Sequence, residues 1–309
     1  MSITSGFRAV TLSLAVLLFG GLAFAMDDKE KDDDRDLAPH GKGVGTVVHP
    51  GDAGDHAGPA RTSNKPGPGN GIFYHGGPII LGTVNIHYIW YGNWNNNTAT
   101  MILSDFAQHI APSPYFNINT TYTNGSGQAV TNSCMLATQA NDNYSHGTSL
   151  SDAAIQAIVA AQNPTDTNGV YFVLTSADVN ETSGFCTQYC GWHTRATING
   201  RDIKYSFVGN PDRCPSACAA QTTSPNGNAG ADGMASIIAH ELEEATTDPD
   251  LNAWYDRRGA ENADKCAWTF GQTYTAANGS SANMKLGTRD YLIQQNWVNA
   301  SGGFCALKH

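Results

Sequence analysis

The chain has 309 residues, a formal net charge of -10, and only 14% charged residues. No basic cluster is available to engage a phosphate backbone, which excludes a nucleic-acid binder. Seven cysteines in a chain poor in lysine fit an oxidising, extracellular compartment.

Residues 1–25 read as a secretory signal. Arg8 supplies the positive charge, residues 10–19 form a short apolar core, and Ala23-Phe24-Ala25 is a small-x-small cleavage site. The apolar run is short for a bilayer and an acidic segment follows it at once, so a membrane anchor is disfavoured. Residues 26–70 begin with MDDKEKDDDRD and continue in Gly, Pro, His and Asp. They carry too little apolar surface to offset the entropy of ordering and are expected to be a disordered linker or pro-segment. Residues 71–309 then form a single domain, and the mature chain carries no membrane span.

Within that domain, residues 83–91 (TVNIHYIWY) alternate and are rich in β-branched and aromatic side chains, predicting a strand. Residues 99–110 place apolar side chains at helical spacing and stop before Pro112. Residues 115–123 are strand-like. Residues 150–161 (LSDAAIQAIVAA) predict an amphipathic helix with Ser151 as its cap and Asn163-Pro164 as its stop. Residues 169–176 (GVYFVLTS) are a continuous apolar run suited to a central strand. Residues 203–208 predict another strand, residues 232–246 a helix ended by Pro249, and residues 291–298 a late strand. This loose alternation predicts an α/β or α+β domain with a central mixed sheet flanked by helices.

Six of the cysteines are expected to staple this domain. Cys186–Cys190 and Cys214–Cys218 would close local loops, and Cys266–Cys305 would tie a distant segment to the C-terminus. Exchanged pairing between the two C-x3-C motifs is the alternative. A zinc cluster of those four cysteines fits a secreted chain less well. Cys134 is left free and buried.

The chemistry concentrates between His240 and Asp264, where eight acids and one imidazole follow in HELEEATTDPDLNAWYDRRGAENAD. On a helix, His240 and Glu244 share a face. With Glu241 between them, the layout resembles the H-E-x-x-H zinc helix with Glu in place of the second His, hence a zincin-like active helix. A third ligand must come from elsewhere. Asp250 has the spacing of the third ligand in metzincins, although Thr247 stands where that pattern has Gly. Glu261 lies in a segment resembling the downstream glutamate region of thermolysin-like peptidases, with Asp264 as its partner or substitute. The expected site is therefore His240, Glu244, Glu261 and Asp264 around zinc, with Glu241 as the base. Calcium in an acidic oxygen site, or a solvated helix face with no metal, are the competing readings. His193, in Cys190-Gly191-Trp192-His193, reads foremost as a disulfide-loop residue, and His75 as a turn residue. Trp90, Tyr91 and Trp94 read as core before they read as a sugar-stacking platform.

A family resemblance runs through these motifs. Tyr74-His75-Gly76-Gly77-Pro78, Thr83-Val84-Asn85-Ile86 and Trp90-Tyr91-Gly92-Asn93-Trp94 resemble the start of the exordium or phosphate-induced protein family. The likeness continues through Tyr144-Ser145-x-Gly147-x-Ser149-Leu150, Gly184-Phe185-Cys186, Cys190-Gly191-x-His193 and the Cys214 and Cys218 pair. It ends in Ala239-His240-Glu241-Leu242-x-Glu244, Asn252-Ala253-Trp254-Tyr255 and Cys266. The resemblance implies export to the cell exterior or wall and a role linked to growth and nutrient status, with no settled chemistry. This chain departs from the plant pattern in its acidic segment 26–36 and in its fuller set of acids after Leu242. Two functions are expected from these features. One is a zinc-dependent hydrolase, foremost a peptidase, acting on an extracellular peptide. The other is a non-catalytic extracellular module that engages a cell-wall component, with sugar as its candidate ligand.

Overall fold

The computed structural model describes Pro39, Lys42 and residues 71–309. The expected signal segment, and the expected linker apart from those two residues, lie outside the described part. Five strands build the central sheet: β1 (Val84–Tyr91), β2 (Cys134–Asp142), β3 (Gly169–Thr175), β4 (Gly191–Ile198) and β5 (Arg201–Val208). Their order is β2-β1-β3-β5-β4. The first four in this order run parallel, and β4 is antiparallel to β5 at the edge. The sheet is therefore mixed. β3 is central and buried throughout, as its continuous apolar run demands.

Three helices cover the sheet: α1 (Ala99–His109), α2 (Asp152–Ala161) and α3 (Ala229–Thr247). Register decides which face each one meets. Trp192 pairs with Phe207 and Thr194 with Tyr205, so these four share one face, while His193 and Ser206 share the other. Tyr205 feels the charge of Asp152 at the start of α2. His193 meets Glu241 of α3. Helices thus lie on both faces, α3 with α1 on one and α2 on the other. A large apolar core spans all three layers.

Four expectations change. Residues 115–123 are not a strand; Phe116–Thr121 forms a 3-10 helix in which Thr120 and Thr121 hydroxyls donate to carbonyls three residues back. The late strand is broken into Arg289–Tyr291 and Asn296–Val298, each half of its own hairpin. β2 and β4 were not anticipated. β2 is an edge strand with mostly exposed or half-buried residues, so it lacks an apolar signature.

The cysteines pair across the two motifs. Cys186–Cys214 and Cys190–Cys218 have Cα separations of 5.8 and 5.6 Å, which corrects the local pairing. The reason is helical: the Cys218 amide donates to the Cys214 carbonyl, so both thiols leave one side of a single turn and face the 186–190 loop together. Cys266–Cys305 is formed, and Cys134 is free and buried. Among the described residues no helix is long and apolar enough to cross a membrane.

Candidate metal centre

α3 starts where the Asn228 side chain accepts from the Ala231 amide and ends at Asp248, before Pro249. Its sequence is alanine-rich, but its apolar stripe is not confined to one side. Seventeen of its 19 residues are buried, including His240, Glu241, Glu243 and Glu244. The far side of the helix is roofed by the chain returning from the C-terminus. The Gln294 amide donates to Ser236 Oγ, and Asn296 donates to Glu243 at 2.8 Å. On the sheet side α3 lies very close to β4. A Cβ at Gly191 would fall 2.6 Å from Ile237 and 3.2 Å from Glu241 Oε1, so a glycine is required there for the approach.

The eight acids of this region separate into two sets. Four have local structural partners. Glu243 is held by Asn296, and burial pushes its carboxyl well above the usual carboxylate range. Asp248 Oδ1 accepts from the Asn252 and Ala253 amides, both at 2.6 Å, and so shapes the loop after the helix. Asp250 turns to Lys204 and Arg195, each at 3.8 Å, away from the metzincin-like position. Asp256 binds Lys265 at 2.9 Å and accepts from the Ala260 amide.

The other four, Glu241, Glu244, Glu261 and Asp264, gather around two imidazoles. His240 Nε2 is 2.9 Å from Glu244 Oε1 and 3.5 Å from Asp264 Oδ1. His193 Nδ1 is 3.4 Å from both Glu241 Oε2 and Glu244 Oε2, and its Nε2 is 3.5 Å from Glu261 Oε1. Two sets of donor atoms lie within 4.8 Å of one another: His193, Glu244 and Glu261, and His240, Glu241 and Glu244. Apart from those imidazole–carboxylate contacts, which lack hydrogen-bond geometry at these atoms, both nitrogens of His240, His193 Nε2, Glu241 Oε1, Glu244 Oε2 and Glu261 Oε1 are buried without a hydrogen-bond partner. Leaving that many polar atoms unmade is costly in an interior.

The electrostatics follow. Burial alone would keep His240 neutral, but Glu244 beside it outweighs this and raises its pKa. Burial would raise Glu244, but His240 and His193 together hold its carboxyl below the usual range. Glu241 and Glu261 are both pushed up by burial against the opposing pull of His193. A divalent cation would satisfy the same atoms more completely than protons do, and imidazole with carboxylate is a donor set suited to it. The residues present therefore fit such an ion.

The sequence-predicted residues are distributed as follows. His240, Glu241 and Glu244 come together. Glu261 joins Glu244, but through His193 rather than His240. Asp264 reaches His240 and also accepts from the Glu261 amide at 3.4 Å. His193 is the residue that sequence reasoning assigned elsewhere. The signal that could have found it is Asn199-Gly200, both at positive φ, which joins β4 to β5 as a tight hairpin. Given that turn, β4 is a strand and His193 alternates onto the α3 face. His75 instead stacks on Tyr255 at 3.6 Å, and Trp90 and Trp94 pack edge to face in the core. Those two indoles present no open ring face for a sugar.

Comparison with known proteins identifies the family of the chain. Residues 72–293 match the phosphate-induced protein 1 conserved region. The chain is 33% identical over 268 residues to Protein EXORDIUM-like 3 of Arabidopsis thaliana, covering 72% of this chain and 79% of that protein. It is 29% identical over 226 residues to Protein EXORDIUM of Arabidopsis thaliana, covering 62% and 69% of the two chains. It is 28% identical over 211 residues to Protein PHOSPHATE-INDUCED 1 of Nicotiana tabacum, covering 59% and 66%. No solved structure matches the chain. The cross-paired cysteines, the Gly191-backed helix and the Glu261 to Cys266 segment all fall inside the matched region, and the chain belongs to the exordium family of phosphate-induced proteins.

Proposed function

We propose that this is a secreted exordium-family protein whose domain is organised around a divalent-cation centre, with zinc as the first candidate. The observation that supports it is the convergence of His193 and His240 on unpartnered, buried carboxylate oxygens of Glu241, Glu244 and Glu261. Two imidazoles in the donor set disfavour calcium, which takes oxygen ligands. His193, His240, Glu241 and Glu244 have no solvent-exposed side-chain surface, so the first consequence of binding is structural. The cation would join α3, the edge strand β4 and the 261–264 segment. Elemental analysis of the purified chain tests this: close to one equivalent or more of zinc is expected, and less than half an equivalent sinks the reading.

A second reading is favoured by one specific feature. His240-Glu241-x-x-Glu244 places a carboxylate with a free oxygen, Glu241 Oε1, beside the ligand pair. Zinc supplies an activated water at neutral pH when it keeps an open position. Glu241 would accept that water's proton, and its upward-shifted pKa suits a base. Asp264, with 16% of its side chain exposed, marks where solvent approaches. The substrate would be an extracellular peptide, and a cell-wall component is the partner under the non-catalytic reading. Peptide cleavage that disappears in Glu241→Gln while zinc is retained would establish the hydrolase; no cleavage by the zinc-loaded wild type would remove it.

A further inference from the structure

We propose that the centre holds two divalent cations, with Glu244 as the bridging carboxylate. This rests on the metal-binding reading above and extends it. Glu244 turns its oxygens to two imidazoles: Oε1, which also accepts from the Asp264 amide at 3.0 Å, lies 2.9 Å from His240 Nε2, and Oε2 lies 3.4 Å from His193 Nδ1. A carboxylate serving a single ion would not need to address two separate imidazoles, one with each oxygen. The donor atoms also form two triads rather than one. His193 and Glu261 make up one, His240 and Glu241 the other, and Glu244 is the only residue common to both. His240 and Glu261 never fall in the same triad, so one ion would leave part of the donor set unused in a sealed interior.

Charge is compatible with the same arrangement. Glu241, Glu244, Glu261 and Asp264 bring four negative charges when ionised, and neutral imidazoles bring none. One divalent ion leaves two of these charges to be neutralised by protons, since a bare charge is expensive in a low-dielectric site, and a second ion can replace those protons. Two divalent ions balance them. The nearby Lys265 is committed to Asp256 at 2.9 Å. Carboxylate-bridged pairs of metal ions are an established arrangement in proteins. Here Glu241 is a ligand, so it is not the base of the single-zinc hydrolase reading. Glu241→Gln separates those two: it lowers the metal count in a two-ion centre and leaves it unchanged in the single-zinc hydrolase, where Glu241 is the base and not a ligand.

The experiment is titration of the full metal-stripped chain with zinc alone and with cobalt(II) alone, followed by elemental analysis after gel filtration. Two equivalents per chain are expected. His193→Ala and Glu261→Gln should each retain one equivalent, held by His240, and His240→Ala should retain the one held by His193. Saturation at one equivalent overturns the two-ion proposal and leaves the metal centre standing. No binding at all overturns both. Should the variants fail to fold, the wild type alone decides. Cobalt(II) at two equivalents is expected to give a magnetically coupled signal, and an isolated-ion signal at saturation counts against the bridge.

Discussion

Helices α2 and α3 obey different rules, and the contrast explains how this domain is built. α2 has ten residues, a Ser151 cap accepting from the Ala154 amide, and one buried stripe of Ile155, Ile158 and Val159. Its polar side chains face water. α3 has nineteen residues and buries almost all of them, charged ones included. A helix buried on all sides is normally apolar all round. α3 is not, because the loop after it and the C-terminal segment close over its acidic side and supply only part of the needed hydrogen bonds. The remainder stays unpartnered, and it is there that the proposed ion would bind. Polarity therefore predicts exposure for α2 and a buried site for α3.

Removing metal should affect the α3 side most. Chelation of the purified protein is expected to lower its stability by about 4 kcal/mol for an ion present at about a thousand times its dissociation constant. Hydrogen exchange should rise in α3 and β4 before α2. An unchanged melting temperature with equal exchange in both helices would break the comparison. Next comes the staple beside the acids. Replacing Cys266 and Cys305 by Ser opens a link between residues 39 apart in sequence. That should cost about 4 kcal/mol on the chain-entropy scale. It should also weaken metal retention, since Glu261 and Asp264 sit just before Cys266. Wild-type metal affinity in the double variant would separate the staple from the site.

The apolar stripe of α2 gives a smaller, metal-independent effect. Ile158→Ala should lose about 3 kcal/mol, read by urea denaturation, with the metal content unchanged. Ser151→Ala, at the cap, should lose about 1 kcal/mol. A metal-dependent loss in either variant would mean that the two helices are coupled after all.

The smallest effect is a pH dependence beside the amino-terminal ends of the inner strands β1 and β3. Burial raises the Asp166 carboxyl, but hydrogen bonds with His87 and Asn85 outweigh it and hold the pKa below its ordinary value. A depressed carboxyl contributes stability above its unfolded pKa of about 4 and loses it as pH falls through the lower folded value. Wild type should therefore lose more stability than Asp166→Asn as the pH drops below about 4, and parallel curves would refute it.

Signals between chain neighbours were enough for the local elements. The β1 alternation, the α1 and α2 periodicities, the apolar run of β3 and the stop of α3 before Pro249 are all legible because neighbours in sequence create them. The same holds for the i, i+4 pair of His240 and Glu244, since a helix fixes that spacing without outside help. Long-range packing settled what depends on distant contacts. It moved Glu261 next to His193, turned Asp250 toward Lys204, and crossed the disulfides because two helical thiols faced one loop. It also made an edge strand of residues with no apolar pattern in β2. Spacing along a chain sets which side chains share a face. Which faces meet, and whether a carboxylate ends in water or beside an imidazole, is settled only when segments tens of residues apart compete for the same buried volume.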